Sequence, residues 1–152
     1  MKLRTERFGE IALVDREGTF QFGGQTVELD VFEASETGDM LRHDLGAFLD
    51  ELPTHLNAAK AHFIDVSFKD MADYVPQWLA DELPEIYTRA FGALAPDKMD
   101  GNTLWSALRL KRIWGDDDGI SVDHTFLDDD SGYVFTANFA PNGTLNYVAL
   151  ES

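Results

Sequence analysis

Ile120-Ser121-Val122-Asp123-His124-Thr125-Phe126 puts Ile120, Val122, His124 and Phe126 on one side of an extended chain and Ser121, Asp123 and Thr125 on the other. That period of two is the pattern of a half-buried β-strand. It returns in Tyr133, Phe135, Ala137 and Phe139, and again in Leu145, Tyr147 and Ala149. The breaks are Asp116-Asp117-Asp118-Gly119, Asp128-Asp129-Asp130-Ser131-Gly132 and Pro141-Asn142-Gly143. Each is turn chemistry, because Asp and Asn bond their own backbone and Gly accepts positive φ. The stretch and its neighbours therefore read as a C-terminal three-stranded meander.

Upstream, Thr103 to Trp114 follows neither period clearly, and a short helix running into a strand through Leu108, Leu110 and Ile113 is one reading of it. The N-terminal third is also β. Phe8 to Val14 reads as a strand and Asp15-Arg16-Glu17-Gly18 as a turn. Thr19 to Phe22 and Val27, Leu29 and Val31 then flank Gly23-Gly24, a two-residue hairpin loop in which both positions can take positive φ. Between these β regions the period becomes helical. Leu41, Leu45, Phe48, Leu49 and Leu52 form one apolar stripe behind Thr37, a suitable N-cap. A second helix starts after Pro53 and buries Leu56, Ala59 and Phe63, while Pro76 and Pro84 suit the first turns of two more.

The order β–α–β predicts one α+β domain over residues 1–152. Its antiparallel sheet would combine the N-terminal hairpin or meander with the C-terminal meander, and the central helical segment would pack on one face. The chain has 152 residues, 44% of them hydrophobic, with eleven Phe, four Tyr and three Trp, enough apolar material for an ordinary core.

Charge narrows the partners. The formal charge is −16, and residues 115–152 carry eight carboxylates with no lysine or arginine. Phosphate backbones require clustered cations, so nucleic acid is not an expected partner. The start has no apolar signal region, and no run approaches the roughly 20 apolar residues of a membrane span, so the expected location is the cytoplasm and no membrane partner is expected. Cysteine is absent, which removes disulfides, thiolate catalysis and cysteine-based metal sites.

The remaining motifs supply little chemistry. Calcium loops of the EF-hand kind put acidic ligands at alternating positions, with glycine sixth. Counting back from Gly119 and Gly132 puts Trp114 and Leu127 at the first position, so both aspartate runs fail as such loops. His55 and His62, seven apart with Asp65 beyond, are a poor metal set, and His124 on its apolar face predicts a hydrogen-bonded, partly buried imidazole. There is no serine-hydrolase elbow, dinucleotide fingerprint or phosphate loop. No catalytic residue, metal site or cofactor is assigned. Trp78, Trp105 and Trp114 read as core residues or interface anchors, and Arg109, Lys111 and Arg112 as internal balance for the acidic sheet.

Leu108-Arg109-Leu110-Lys111-Arg112-Ile113, the aspartate-rich turn, Tyr133-Val134-Phe135-Thr136-Ala137-Asn138-Phe139, Asn142-Gly143-Thr144-Leu145, Glu151-Ser152 and an opening Phe8-Gly9-Glu10-Ile11 cover about a third of the chain. In these the chain resembles uncharacterised small bacterial proteins of the domain-of-unknown-function kind. Small acidic α+β proteins of this sort are similar to immunity proteins of bacterial toxin systems. The resemblance implies a non-enzymatic protein-binding domain, an immunity protein or inhibitor that steers onto a basic toxin. No functional residue carries over from the resemblance; the one-signed charge of residues 115–152 makes Asp116, Asp117, Asp118, Asp123, Asp128, Asp129 and Asp130 the expected contact residues. Two other readings stay open: a ligand-binding or enzymatic domain with a pocket between helices and sheet, and a self-associating structural domain. The sequence does not fix the oligomeric state.

Overall fold

The computed structural model describes residues 2–31, 45–115, 119–126 and 132–151. It is a mixed helix and sheet structure with one six-stranded sheet and one two-stranded sheet. The small sheet pairs β1 (Lys2–Arg4) with β2 (Glu10–Ala12). The large sheet runs in the order β3 (Glu17–Phe22), β4 (Gln25–Val31), β5 (Leu108–Gly115), β6 (Ile120–Phe126), β7 (Val134–Phe139) and β8 (Leu145–Glu151).

Local chemistry explains most of these strands. Gly23 and Gly24 sit at φ 59 and 78, the left-handed pair that lets β3 and β4 join through two residues. The C-terminal meander has four strands rather than three, because β5 continues straight into it. The expected wholly antiparallel sheet needs a correction: β4 and β5 run parallel, with Leu29 opposite Ile113. Residues 32–107 lie between them, and a crossover of that length, rich in helix, can return the chain to the end of the sheet from which it left. The predicted strand from Phe8 to Val14 shrinks to Glu10–Ala12, and its partner β1 carries no periodicity that would announce it.

Two irregularities reset the alternation. A register shift between Leu110 and Arg112 makes Lys111 the extra residue of β5. A second shift lies where Asn138 pairs with Tyr147 and Phe139 with Leu145. Beyond it β8 reverses parity, so Val148 is buried while Tyr147, read as inward from the sequence, is 44% exposed. Tyr133 likewise lies before β7 and meets Trp78 edge-on at 4.8 Å.

The helical segment comprises residues 45–50 (α1), α2 (Leu52–His62), a π-helical turn (Phe63–Ser67), α3 (Phe68–Met71), α4 (Val75–Glu82), α5 (Pro84–Phe91), a 3-10 turn (Pro96–Lys98) and α6 (Gly101–Ser106). Pro53, Pro76 and Pro84 each occupy a first turn, where a missing N–H costs nothing. The Thr37 cap and Leu41 lie outside the described residues. Leu45, Phe48, Leu49 and Leu52 of the predicted stripe are buried.

The core joins helix to sheet through aromatic rings. Phe63, with no exposed surface, meets Trp105 of α6 at 5.0 Å and Phe135 of β7 at 5.7 Å. Phe48 meets Phe139, and Phe91 meets Phe126. In register, the sheet partners Phe126, Phe135 and Phe139 share one face with His124, Val122 and Ile120. Burying each such ring is worth about 2–3 kcal/mol. Gly101 is the seat of α6, since a Cβ there would lie 3.2 Å from both the Ile64 Cα and the Phe68 side chain.

Candidate functional site: the polar face of the sheet

The opposite face of the sheet is polar, and its pairing register sorts it into rows. One row runs Thr19, Glu28, Arg112, Asp123, Thr136 and Ala149; the next runs Glu17, Asp30, Trp114, Ser121, Asn138 and Tyr147. Each residue faces this way because its strand neighbours face the core.

Asp123 anchors the centre. Its Oδ1 accepts a hydrogen bond from Thr136 Oγ1 at 2.7 Å, and its Oδ2 accepts one from Trp114 Nε1 at 3.1 Å. Asp123 is 8% exposed and Thr136 1%. Asp123, one of the expected contact residues, is thus a structural acceptor that ties β5, β6 and β7 together. The other six expected contact residues, Asp116, Asp117, Asp118, Asp128, Asp129 and Asp130, lie outside the described residues. Nearby, Asn138 Nδ2 donates to Ser121 Oγ at 3.1 Å, and Asn146 Nδ2 donates to Asn138 Oδ1 at 2.9 Å.

Two concavities flank Arg112. The larger, about 670 Å³, opens over the N-terminal hairpin and is lined by Asp15, Glu17, Glu28, Asp30 and Arg112 among others. Asp15, Glu17 and Glu28 are exposed. The lining cation is already engaged, since Arg112 Nη2 sits 3.2 Å from Asp30 Oδ2. This pair is half-buried and worth no more than about 1 kcal/mol, but it cancels the guanidinium charge inside the groove. The smaller concavity, 340 Å³, is lined by Lys111, Arg112, Trp114, Asp123, Thr136 and Glu151. Lys111 reaches it from the bulge position, a usual role for a bulge. Among the described residues Arg112 thus pairs with Asp30 of the N-terminal hairpin, whereas Arg109 donates to the Ser106 and Leu108 carbonyls.

The histidines divide. His55 stacks flat on Phe48 at 4.0 Å and meets Phe139 edge-on. Burial lowers its pKa, with Glu51 acting in the opposite direction. It borders a third concavity of 340 Å³ with Glu51, Asn142 and Gly143, the nearest feature to a pocket between helix and sheet turn among those described. His124 is buried as expected, but its Nδ1 has no hydrogen-bond partner. Among the described residues, no group of three or more His, Asp or Glu side chains comes together to hold a metal ion. Trp105 is buried, while Trp78 and Trp114 are half-buried. No described helix is long and apolar enough to cross a membrane.

The acidic groove escaped the sequence reading. Glu28 and Asp30 alternate visibly with Val27, Leu29 and Val31, which marks them as outward-facing. Their convergence with Asp15 and Glu17 follows from hairpin register, and the presence of Arg112 follows from the parallel pairing. No protein family, curated protein or solved structure matches this chain.

Proposed function

We propose that this chain is a non-enzymatic protein-binding domain that captures a basic protein, as an inhibitor or immunity protein captures a cationic toxin. The observation that carries this reading is the groove over the hairpin. Four carboxylates converge there, and the one cation in its described lining is neutralised by Asp30. The groove gives a one-signed field a concave shape, which steers a cationic surface and concentrates it. The aspartate runs at 116–118 and 128–130 add to the long-range attraction through the charge of −16. Basic residues of the partner would sit against Asp15, Glu17 and Glu28.

The test is capture from the native lysate at low and high salt, followed by association kinetics with the captured protein. A stoichiometric basic protein is expected, weakening as salt rises. Neutralising the groove as Asp15→Asn, Glu17→Gln and Glu28→Gln together should slow association about tenfold and flatten its salt dependence. An unchanged rate would sink the groove as the docking site. Failure to recover any basic protein would sink the function.

A further inference from the structure

His124 lies at the middle of β6 on the core side of the sheet, 6% exposed, with Nδ1 buried and unpartnered. Its register neighbours are Leu110 on β5 and Phe135 on β7. Above it lies α6, whose Trp105 ring is 4.6 Å from the imidazole. Phe63 of the π-helical turn touches both Trp105 and Phe135 and completes the apolar surround.

Among the described residues, no charge on the packed elements answers this imidazole. β7 and α6 contain no ionisable side chain. On β6, Asp123 points to the opposite face and is held by Trp114 and Thr136. On β5, Arg109 and Arg112 pair in register with Thr125 and Asp123, and Lys111 lines the polar face. Asp65 of the π-helical turn is exposed, as is Asp100, which caps α6 by accepting from the Thr103 N–H at 2.7 Å. His62, at the end of α2, is half-buried and belongs to a different turn of helix.

α6 itself is poorly placed to hold on alone. Six residues are too few for a self-supporting helix, so it depends on Leu104 and Trp105 reaching the core. We propose that His124 is an acid-sensitive latch: a proton on its buried imidazole makes a cation that no carboxylate answers and leaves an Nδ1 proton unserved, and α6 lifts Trp105 off the sheet to admit water. The neutral imidazole keeps the latch shut.

Burial lowers the His124 pKa to about 4, with a backbone hydrogen bond at Val122 acting the other way. In the opened state the imidazole would titrate near its ordinary 6.5. The open form therefore binds the proton first as pH falls below 6.5, and opening grows until the closed form also protonates near 4. Between pH 7 and pH 5 the opening equilibrium should rise about twentyfold.

Native-state hydrogen exchange on the full chain tests this, read as protection factors at pH 7 and pH 5. The amides of residues 104–107 are expected to lose about twentyfold in protection, while those of β3 and β4 hold. His124→Phe should abolish the difference. Should that variant not fold, His124→Gln and an NMR titration of the wild-type imidazole decide the same point. The latch is overturned by equal loss in α6 and in β3–β4, by a pH dependence that survives removal of the imidazole, or by an imidazole titrating near 6.5 in the closed protein.

Discussion

Asp123 and His124 are neighbours in sequence and both are buried, yet they lie on opposite faces of one strand in opposite circumstances. Asp123 has both carboxylate oxygens served by donors from β5 and β7. His124, surrounded by rings and a leucine, has a buried nitrogen that nothing serves. The polar face is thus held by specific hydrogen bonds that tolerate charge, and the core face by dispersion and burial that do not. A charge at position 123 is part of the structure; a charge at position 124 works against it.

Four experiments would break or sharpen this contrast. The largest effect belongs to the core face: Phe63→Ala should cost about 4 kcal/mol in denaturant unfolding, because the ring touches both sheet and α6. A loss below about 2 kcal/mol would mean that the aromatic cluster repacks. Second is acid. A folded pKa of about 4 against 6.5 for the free side chain means His124 contributes a penalty that is absent above pH 6.5 and grows as pH falls. It should reach about 3 kcal/mol near pH 4. Comparing stability–pH curves for wild type and His124→Phe checks the sign and size, and parallel curves would contradict it. Third, Asp123→Ala strands the Trp114 and Thr136 donors and should cost about 2 kcal/mol, with Asp123→Asn costing less. Equal costs would show that charge, rather than acceptor count, matters there. The smallest belongs to the rim: Arg112→Met should change stability by under about 1 kcal/mol, less at high salt.

Much of the fold was legible because its signals are local. Gly23-Gly24 can do little between two strands but turn, and the alternation of Val122, His124 and Phe126 against Ser121, Asp123 and Thr125 names the two faces without any partner. What stayed hidden depends on residues far apart in the chain. The parallel seam between β4 and β5 has no local signature, and neither does the three-residue β1. Bulges defeat alternation outright: one extra residue near Asn146 is enough to exchange Tyr147 for Val148 in the core. The site suffered the same way. The hydrogen bonds of Asp123 were not legible from its neighbours in sequence, because its two donors come from other strands. The groove at Asp15, Glu17, Glu28 and Asp30 exists only once the hairpin has closed and Arg112 has arrived beside it.

That parallel seam also orders events in time. Every contact within β5 to β8 is made between strands that follow directly in the chain, whereas Leu29 must wait for Ile113, roughly 80 residues later, a closure costing on the order of 4 kcal/mol in chain entropy. A ribosome would expose the hairpin first and find it nothing to dock on until the helices and β5 had emerged. Refolding followed by pulse-labelled exchange is expected to protect β6 and β7 before β3 and β4 gain their full protection, and simultaneous protection would refute that order. The half of the sheet made first would be the half that joins last.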